Sequence, residues 1–461
     1  MIRLFNHYLR RQTLLQVMLD LALLVVAMTG FSLLSQPHSA VPGLRGDAAT
    51  YGLSLAICLL FINTASGLYQ RAQGRSLRES CARAALALLI ALPISYAIFD
   101  LFPDVGERSG TKWAAMVCVA FVIAHRVYAA HSTNALRPRS RILIFGSGAS
   151  ADQVGKTLRS ADPRAHVVGY YQGPSETETM VPSADLVDTA TSLKQCASDL
   201  RVDEIVVALS ERRGGSMPLS ELLDCKISGI QVFDLSTYFE KMLGQIRIDH
   251  VRAGWLIFGD GFHQGVYRTI AKRLFDLLCA VLLLVVTLPL MLLTAAAIAV
   301  ESKGPVLYRQ ERVGRDGRTF EVLKFRSMKL DAEHDGQPKW AASRDDRITA
   351  VGSVIRRFRV DELPQLLNVL RGDMSLVGPR PERPFFVNRL LQETPYYAVR
   401  HSVKPGLTGW AQVRFEYGAT MEDSLEKLQY DLYYVKNHSL FLDLVIVFET
   451  IGVVLSGKGA R

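Results

Sequence analysis

Five long apolar runs constrain this chain more than any other feature of its 461 residues. The first extends from about Leu14 to Leu34, followed by Tyr51–Leu68, Ala84–Leu101, Trp113–Ala130 and Phe275–Val300. Each approaches the ~20 residues that a helix needs to cross a hydrocarbon core. The first is too long, and too poor in small residues at its end, to read as a cleaved leader. Mean hydropathy is +0.16 although 21% of residues are charged, so apolar residues are collected in blocks.

The charges between the runs assign an orientation. Arg3, Arg10 and Arg11 precede the first, Arg71, Arg75 and Arg78 separate the second and third, and Arg137, Arg139 and Arg141 follow the fourth. The other two loops carry Asp47, and Asp104 with Glu107. Basic loops stay on the cytoplasmic side, which puts the N-terminus and everything after residue 131 there. The net charge of +9 suits anionic lipid or phosphorylated substrates beside such runs, and no nucleic acid is expected. Six scattered cysteines with no CxxC pair argue against a disulfide framework or a zinc site. Asp20, inside the first run, is expected to face neighbouring helices.

Residues 140–250 read as a soluble α/β domain. Strands are expected at Arg141–Phe145, His166–Tyr171, Asp203–Ala208 and Gly229–Phe233. Gly146-x-Gly148-x-x-Ala151 follows the first strand and opens a helix, the setting of a dinucleotide-binding turn. The second strand ends in Tyr170-Tyr171-Gln172, without the acid that would hold a ribose. A Rossmann-like domain using its glycines only for a tight turn is therefore the expectation.

The fifth run, 275–300, contains Pro289 and is basic on both flanks, from Arg268, Lys272 and Arg273 to Lys303, Arg309, Arg312 and Arg315. Proline interrupts a helix, and two basic flanks suit a segment that enters the membrane and returns. A re-entrant helix broken at Pro289 is expected, with both ends cytoplasmic. The last apolar stretch, Leu440–Leu455, carries Asp443 and Glu449 and reads as a packed or interfacial amphipathic helix.

Chemistry concentrates after Gly304. Asp361-Glu362 reads as the start of a helix, Asp361 as its N-cap, Pro364 in its first turn and Gly372 just beyond its end. Arg356, Arg357 and Arg359 lie upstream. A carboxylate nucleophile can form an acyl phosphate, given nearby cations to admit the phosphate. An adjacent carboxylate can hold Mg²⁺. A capping Asp followed by a first-turn Glu explains the same spacing. Lys324 and Arg326 follow the apolar strand Phe320–Leu323 as candidate phosphate-binding cations, and Gly378-Pro379-Arg380 is a rigid turn presenting an arginine fork suited to phosphate.

From Lys272 onward the chain resembles the bacterial sugar transferase family of polyprenyl-phosphate sugar-1-phosphate transferases. The runs that carry the resemblance are Lys272-Arg273-x-x-Asp276, Gly304-Pro305, Gln310-x-Arg312-x-Gly314, Lys324-Phe-Arg-Ser-Met328, Asp361-Glu-Leu-Pro-Gln365, Gly372-Asp-Met-Ser-Leu-Val-Gly-Pro-Arg-Pro381 and Lys404-Pro-Gly-Leu-Thr-Gly-Trp-Ala-Gln412. The order of parts is similar to that of the larger initiating members. The tail, from Lys427-Leu-Gln-Tyr-Asp431 through Gly457–Arg461, resembles the exopolysaccharide enzymes associated with exosortase systems.

The resemblance implies an integral membrane α-helical N-terminal bundle (1–135), a Rossmann-like α/β middle domain (140–250) and a mostly α-helical C-terminal catalytic domain (268–461) with a re-entrant membrane helix (275–300). It implies Asp361 as nucleophile, Glu362 as Mg²⁺ ligand, and phosphate contacts from Arg356 and the Gly378-Pro379-Arg380 loop. The family's serine before the proline is replaced here by Leu288, with Thr287 one position earlier. The implied reaction moves a hexose-1-phosphate from a UDP-hexose to undecaprenyl phosphate at the cytoplasmic face of a bacterial inner membrane, the first step of exopolysaccharide repeat-unit assembly. The partners are those two substrates and the lipid bilayer, with a homodimer left open. Transfer through an aspartyl phosphosugar and direct transfer in a ternary complex are both compatible with these residues. The alternative from another class is a non-catalytic membrane nucleotide sensor working through Gly146 and Gly148.

Overall fold

The computed structural model describes residues 2–4, 7–9, 11–34, 44–66, 68–69, 77–100, 109–132, 140–161, 166–174, 176, 179–187, 191–209, 217–248, 262, 265–329, 347–415 and 420–456. The flanking charges Arg10, Arg71, Arg75, Asp104, Glu107, Arg137 and Arg139, and the tail Gly457–Arg461, lie outside the described residues. The chain forms two compact units, one of Met1–Thr133 with Gly259–Arg461 and one of Asn134–Phe258.

The first unit starts with a short antiparallel pair, β1 (Ile2–Leu4) and β2 (His7–Leu9). Four helices follow: α1 (Arg11–Leu34), α2 (Leu44–Ala65), α3 (Leu77–Asp100) and α4 (Ser109–Ser132). They share a core of Leu24, Tyr51, Leu55, Leu59, Val119 and Ile123. The small residues Ala84, Ala87, Ala91 and Ala115 are buried in it, the residue type that lets helix backbones approach closely. Their outer faces expose Leu19, Val26, Leu89, Val117 and Phe121, more apolar surface than a protein bathed in water usually shows. Asp20 is buried and accepts a 2.9 Å hydrogen bond from the Tyr69 hydroxyl, so the acid in the first run faces its neighbours.

The second unit is a parallel sheet ordered β4-β3-β5-β6, built from β3 (Arg141–Phe145), β4 (His166–Tyr171), β5 (Glu204–Val207) and β6 (Gln231–Asp234). Alternation along β3 sorts the core into two layers. Ile142 and Ile144 pack on α5 (Ala149–Ala161), together with Leu235, Tyr238 and Phe239. Leu143 and Phe145 pack on α6 (Leu193–Asp199) and α7 (Leu219–Ile227). Both faces of the sheet are thus covered, as parallel strands require. The helix following β6, α8 (Leu235–Leu243), completes the first layer.

The turn after β3 explains its glycines. Gly146 has φ +138°, and a Cβ there would sit 2.9 Å from the Ala208 carbonyl oxygen. The amide and hydroxyl of Ser147 donate to Glu176 Oε2 at 2.6 and 3.2 Å, and the Gly173 amide donates to the same oxygen at 3.3 Å. The turn is an anion cradle, and the chain's own carboxylate occupies it.

The first unit resumes with α9 (Val266–Glu301), which contains Pro289. The expected break is not an interruption, since the backbone stays helical on both sides of the proline, as it does around Pro93 in α3. Proline deletes one helical hydrogen bond, and in apolar surroundings the remaining bonds hold the helix. The Thr287 hydroxyl donates to the Leu283 carbonyl, 2.7 Å away, just ahead of the proline.

Thirty-six residues make a rod of about 54 Å if straight, yet both ends of α9 dock on neighbouring elements of the same fold. Near its start, Arg273 donates to the carbonyls of Val369 (2.7 Å) and Leu370 (2.8 Å), Asp276 accepts from the Leu376 amide (3.2 Å), and Lys272 pairs with Asp276 (3.0 Å) and Asp443 (2.9 Å). At its end, Glu301 accepts from the Val351 amide (3.0 Å) and Ile298 packs in a core with Phe325 and Ile355. Between these anchors Leu282, Val285, Val286, Leu292 and Leu293 are exposed.

The remaining elements are β7 (Leu307–Val313), β8 (Thr319–Phe325), α10 (Ala350–Arg357), α11 (Gln365–Arg371), β9 (Ser375–Val377), α12 (Pro384–Glu393), β10 (Gly406–Thr408), α13 (Trp410–Arg414), α14 (Met421–Asn437) and α15 (Leu440–Ser456). α15 buries Asp443 and Glu449 and stacks Phe448 on Phe61 of α2 at 4.6 Å between ring centroids. Among the described residues, two helical stretches are long and apolar enough to cross a membrane by length and composition, Ser80–Ile98 with mean hydropathy 1.9 and Val266–Glu301 with 2.8.

Candidate active site

Asp361 and Glu362 do not begin a helix. They lie in a 3-10 turn, Val360–Glu362, entered from Arg359 at φ 55°. Pro364 precedes α11, and the amides of Leu366 and Leu367 donate to the carbonyls of Leu363 and Pro364. Those backbone bonds replace the capping role expected of Asp361. Gly372 closes α11 at φ +100°, as its spacing predicts.

The turn is surrounded by cations from three directions. β7 and β8 form an antiparallel hairpin that sets Lys324 opposite Tyr308. The buried Asn368 of α11 locks this hairpin in place, accepting from the Leu323 amide (3.0 Å) and donating to the Glu321 carbonyl (2.7 Å). Lys324 Nζ then lies 3.4 Å from Glu362 Oε1. Arg380 meets Glu362 through both terminal nitrogens, at 2.5 and 3.4 Å, and Arg359 Nη1 is 3.7 Å from Oε2. Among the described residues no hydrogen bond or ion pair ties down Asp361.

The two carboxyls are therefore tuned in opposite directions. Burial raises both. At Glu362 the charges of Arg380, Lys324 and Arg359 outweigh it and hold the carboxyl well below its ordinary range. At Asp361 burial is joined by the negative charge of Glu362, outweighs Lys324, Arg380 and Arg356, and pushes the carboxyl up to about 6. Burial also lowers the Lys324 ammonium, against the opposing pull of Glu362.

The backbone carrying Arg380 is accounted for group by group. β9 and β10 run parallel, with Ser375 beside Gly406 and Val377 beside Thr408. The Gly378 amide donates to the Thr408 carbonyl (2.9 Å) and the Gly406 amide to the Pro379 carbonyl (2.9 Å). Arg400 donates to the Arg380 carbonyl (2.8 Å), Arg312 to that of Pro381 (3.0 Å), and the Val313 amide to that of Glu382 (2.9 Å). Gly378 must lack a side chain, because a Cβ would run into the Lys404 carbonyl oxygen.

The structure thus brings together Asp361, Glu362, Lys324 and the Gly378-Pro379-Arg380 loop, and the charge of Arg356 acts on Asp361. It does not bring Arg326. β8 ends at Phe325, and Arg326 turns back to donate to the carbonyls of Ser302 (2.8 Å) and Lys303 (3.0 Å) beyond α9. A guanidinium spent on that helix end is withdrawn from phosphate binding. Arg400 went unselected in the sequence, and Arg359 and Arg312 entered it only as an upstream cation and as part of a motif. A non-glycine residue at positive φ and a buried guanidinium leave no mark in spacing.

No group of three or more His, Cys, Asp or Glu side chains that could hold a metal occurs among the described residues. Glu362 beside Asp361 fits a different donor set, in which one or two carboxylates share Mg²⁺ with substrate phosphates and water.

The family profile described as bacterial sugar transferase matches residues 267–457. An Aeromonas hydrophila UDP-N-acetylgalactosamine-undecaprenyl-phosphate N-acetylgalactosaminephosphotransferase is 46% identical over 52% of this chain and 56% of its own, so the chain spans just over half of that relative. The UDP-glucose:undecaprenyl-phosphate glucose-1-phosphate transferase of Xanthomonas campestris pv. campestris is 31% identical over 90% of this chain and 88% of its own. The protein of that same description from Escherichia coli (strain K12) is 32% identical over 74% and 73%. With the acidic pair, its cation shell and the Gly-Pro-Arg loop assembled within the matched region, the chain belongs to the bacterial sugar transferase family.

Proposed function

We propose that the chain transfers a hexose-1-phosphate from a UDP-hexose to undecaprenyl phosphate, the step that starts an exopolysaccharide repeat unit. One observation carries this reading: adjacent carboxylates, Glu362 tied to cations and Asp361 untied, inside a cluster of Lys324, Arg356, Arg359 and Arg380. An Asp361 Oδ attacks the phosphorus that bears the sugar. The phosphorus–oxygen bond to UMP breaks, UMP leaves with the electron pair, and an aspartyl phosphosugar remains. A phosphate oxygen of the lipid then attacks that phosphorus, and the Asp361 carboxylate is released as the lipid diphosphosugar forms. Lys324, Arg356 and Arg380 offset the repulsion between two anionic substrates and an anionic nucleophile. Glu362 would hold Mg²⁺, which would supply charge neutralisation on the departing phosphate.

The same reading gives the other parts their roles. α1–α4 are a transmembrane bundle, the second unit is a Rossmann-like domain, and α9 is a re-entrant helix of the bacterial inner membrane with the active site on the cytoplasmic side. Support comes from the exposed apolar middle of α9 between two docked ends. The nucleotide-sensor alternative loses ground because Glu176 already takes the Ser147 amide and hydroxyl between the two glycines.

The test is UMP release by purified protein with Mg²⁺, undecaprenyl phosphate and a panel of UDP-sugars including UDP-glucose and UDP-N-acetylgalactosamine. The expected result is UMP and lipid-linked product from one sugar, a covalent sugar phosphate on trapped protein, and neither with Asp361→Asn. Folded, lipid-loaded protein that turns over no UDP-sugar would end the reading. Activity without the covalent species would leave direct transfer in its place.

A further inference from the structure

Arg400 lies in the 3-10 segment Pro395–Ser402 and is 5% exposed. Beside Arg356, Arg359 and Arg380 a fourth arginine invites assignment as one more substrate ligand. Its donors are engaged inside the chain instead. Nε and Nη2 donate to Asp431 Oδ2 at 3.0 and 2.7 Å, Nη1 donates to the Tyr397 hydroxyl at 2.6 Å, and Nη2 also donates to the Arg380 carbonyl at 2.8 Å. Asp431 is as buried as Arg400 and balances its charge. A buried, matched ion pair of this kind has little capacity to bind a further anion, but its planar fork can fix a backbone.

That backbone is the one that carries Arg380. With Pro379 held by Gly406 and Pro381 held by Arg312, Arg400 holds the Arg380 carbonyl between them. Release of that carbonyl would let the peptide rotate and carry the Arg380 side chain away from Glu362.

We propose that Arg400, neutralised by Asp431, is a positioning residue of the transfer: it holds the Arg380 backbone so that the Arg380 side chain meets Glu362 and the incoming phosphate, and it does not touch substrate. The inference rests on the reading in which Arg380 serves the transferred phosphate.

A double-mutant cycle separates the two. Arg400→Lys keeps the charge beside Asp431 and loses the fork, and should lower kcat about tenfold with KM for the UDP-sugar within about threefold. In an Arg380→Ala background, followed by radiolabel transfer to lipid, the same change should cost less than about threefold, because the group being positioned is gone. Tyr397→Phe removes one acceptor without touching charge, and should show the same pattern at smaller size. Equal losses in both backgrounds, or a loss expressed mainly in KM, overturn the positioning role. Full activity of Arg380→Ala alone overturns it differently, by removing the site reading beneath it. Tm measured on each variant identifies a loss that is only unfolding.

Discussion

The turn at Gly146–Gly148 and the loop at Gly378–Arg380 both use glycine to bring backbone against a neighbouring strand end, and both have a carboxylate of the chain nearby. In the first, Glu176 takes the Ser147 amide and hydroxyl and the Gly173 amide, so the cradle's donors are matched by a resident anion. In the second, the backbone is satisfied by other backbone and by Arg312 and Arg400, and the side chains point their charge at the acidic turn. There Lys324, Arg356, Arg359 and Arg380 act on two carboxylates, one of which is tied to none of them. A glycine turn marks where a chain approaches closely. Whether it takes a ligand depends on which charges are left over.

The contrast can be broken by substitutions in either loop. Arg380→Ala should lower kcat/KM for transfer by about a hundredfold, the scale of one lost charge stabiliser, with the melting temperature little changed. Gly146→Ala should do the reverse. It forces a side chain into φ +138° against the Ala208 carbonyl, and should destabilise the α/β unit by about 2 kcal/mol while purified folded protein keeps its transfer rate. Loss of turnover in folded Gly146→Ala would give the first turn a catalytic part and erase the distinction. Gly378→Ala should shift the loop off the Lys404 carbonyl and cost about tenfold in kcat. Glu176→Gln should have the smallest effect, about 1 kcal/mol of stability as measured by denaturation, with UMP release within about twofold of the parent. Inhibition of that variant by added dinucleotide would reopen the first cradle as a ligand site.

The acidic pair, Lys324 and the Gly-Pro-Arg loop were legible because each is a local statement. Residue type, spacing and a flanking strand or turn single them out. Their roles in phosphate transfer come from the family resemblance, since a capping Asp and a first-turn Glu explain the same spacing. Gly372 was legible on the same grounds, as a helix terminator. The failures share a cause. Lys324 and Arg326 alternate correctly for one face of a strand, but the strand stops at Phe325, and the end of α9 offers Arg326 unsatisfied carbonyls. Asp361 has the right neighbours for a cap, but a 3-10 turn entered through Arg359 satisfies the helix from its own backbone. Arg400 and Asp431 are 31 positions apart, so only the fold reveals that they cancel. The apolar runs were the clearest signal, and Pro289 disturbs the fifth less than its residue type suggests, because one missing hydrogen bond does not stop a helix of 36 residues.

The docking of α9 at both ends has a mechanical consequence. Lys272, Arg273 and Asp276 fasten its entry to Asp443, α11 and β9, and Glu301 fastens its exit to α10. On the membrane reading, the exposed stretch from Leu282 to Leu293 is then a wedge held at both ends, its entry tied through Asp276 to the strand that leads to Arg380. Such a wedge gauges the depth at which the enzyme rides. In a leaflet thinner or thicker than the wedge prefers, mismatch strain would lift or sink the acidic turn relative to the lipid phosphates. On that reading, acyl-chain length of the host membrane would be a determinant of turnover that no headgroup contact encodes.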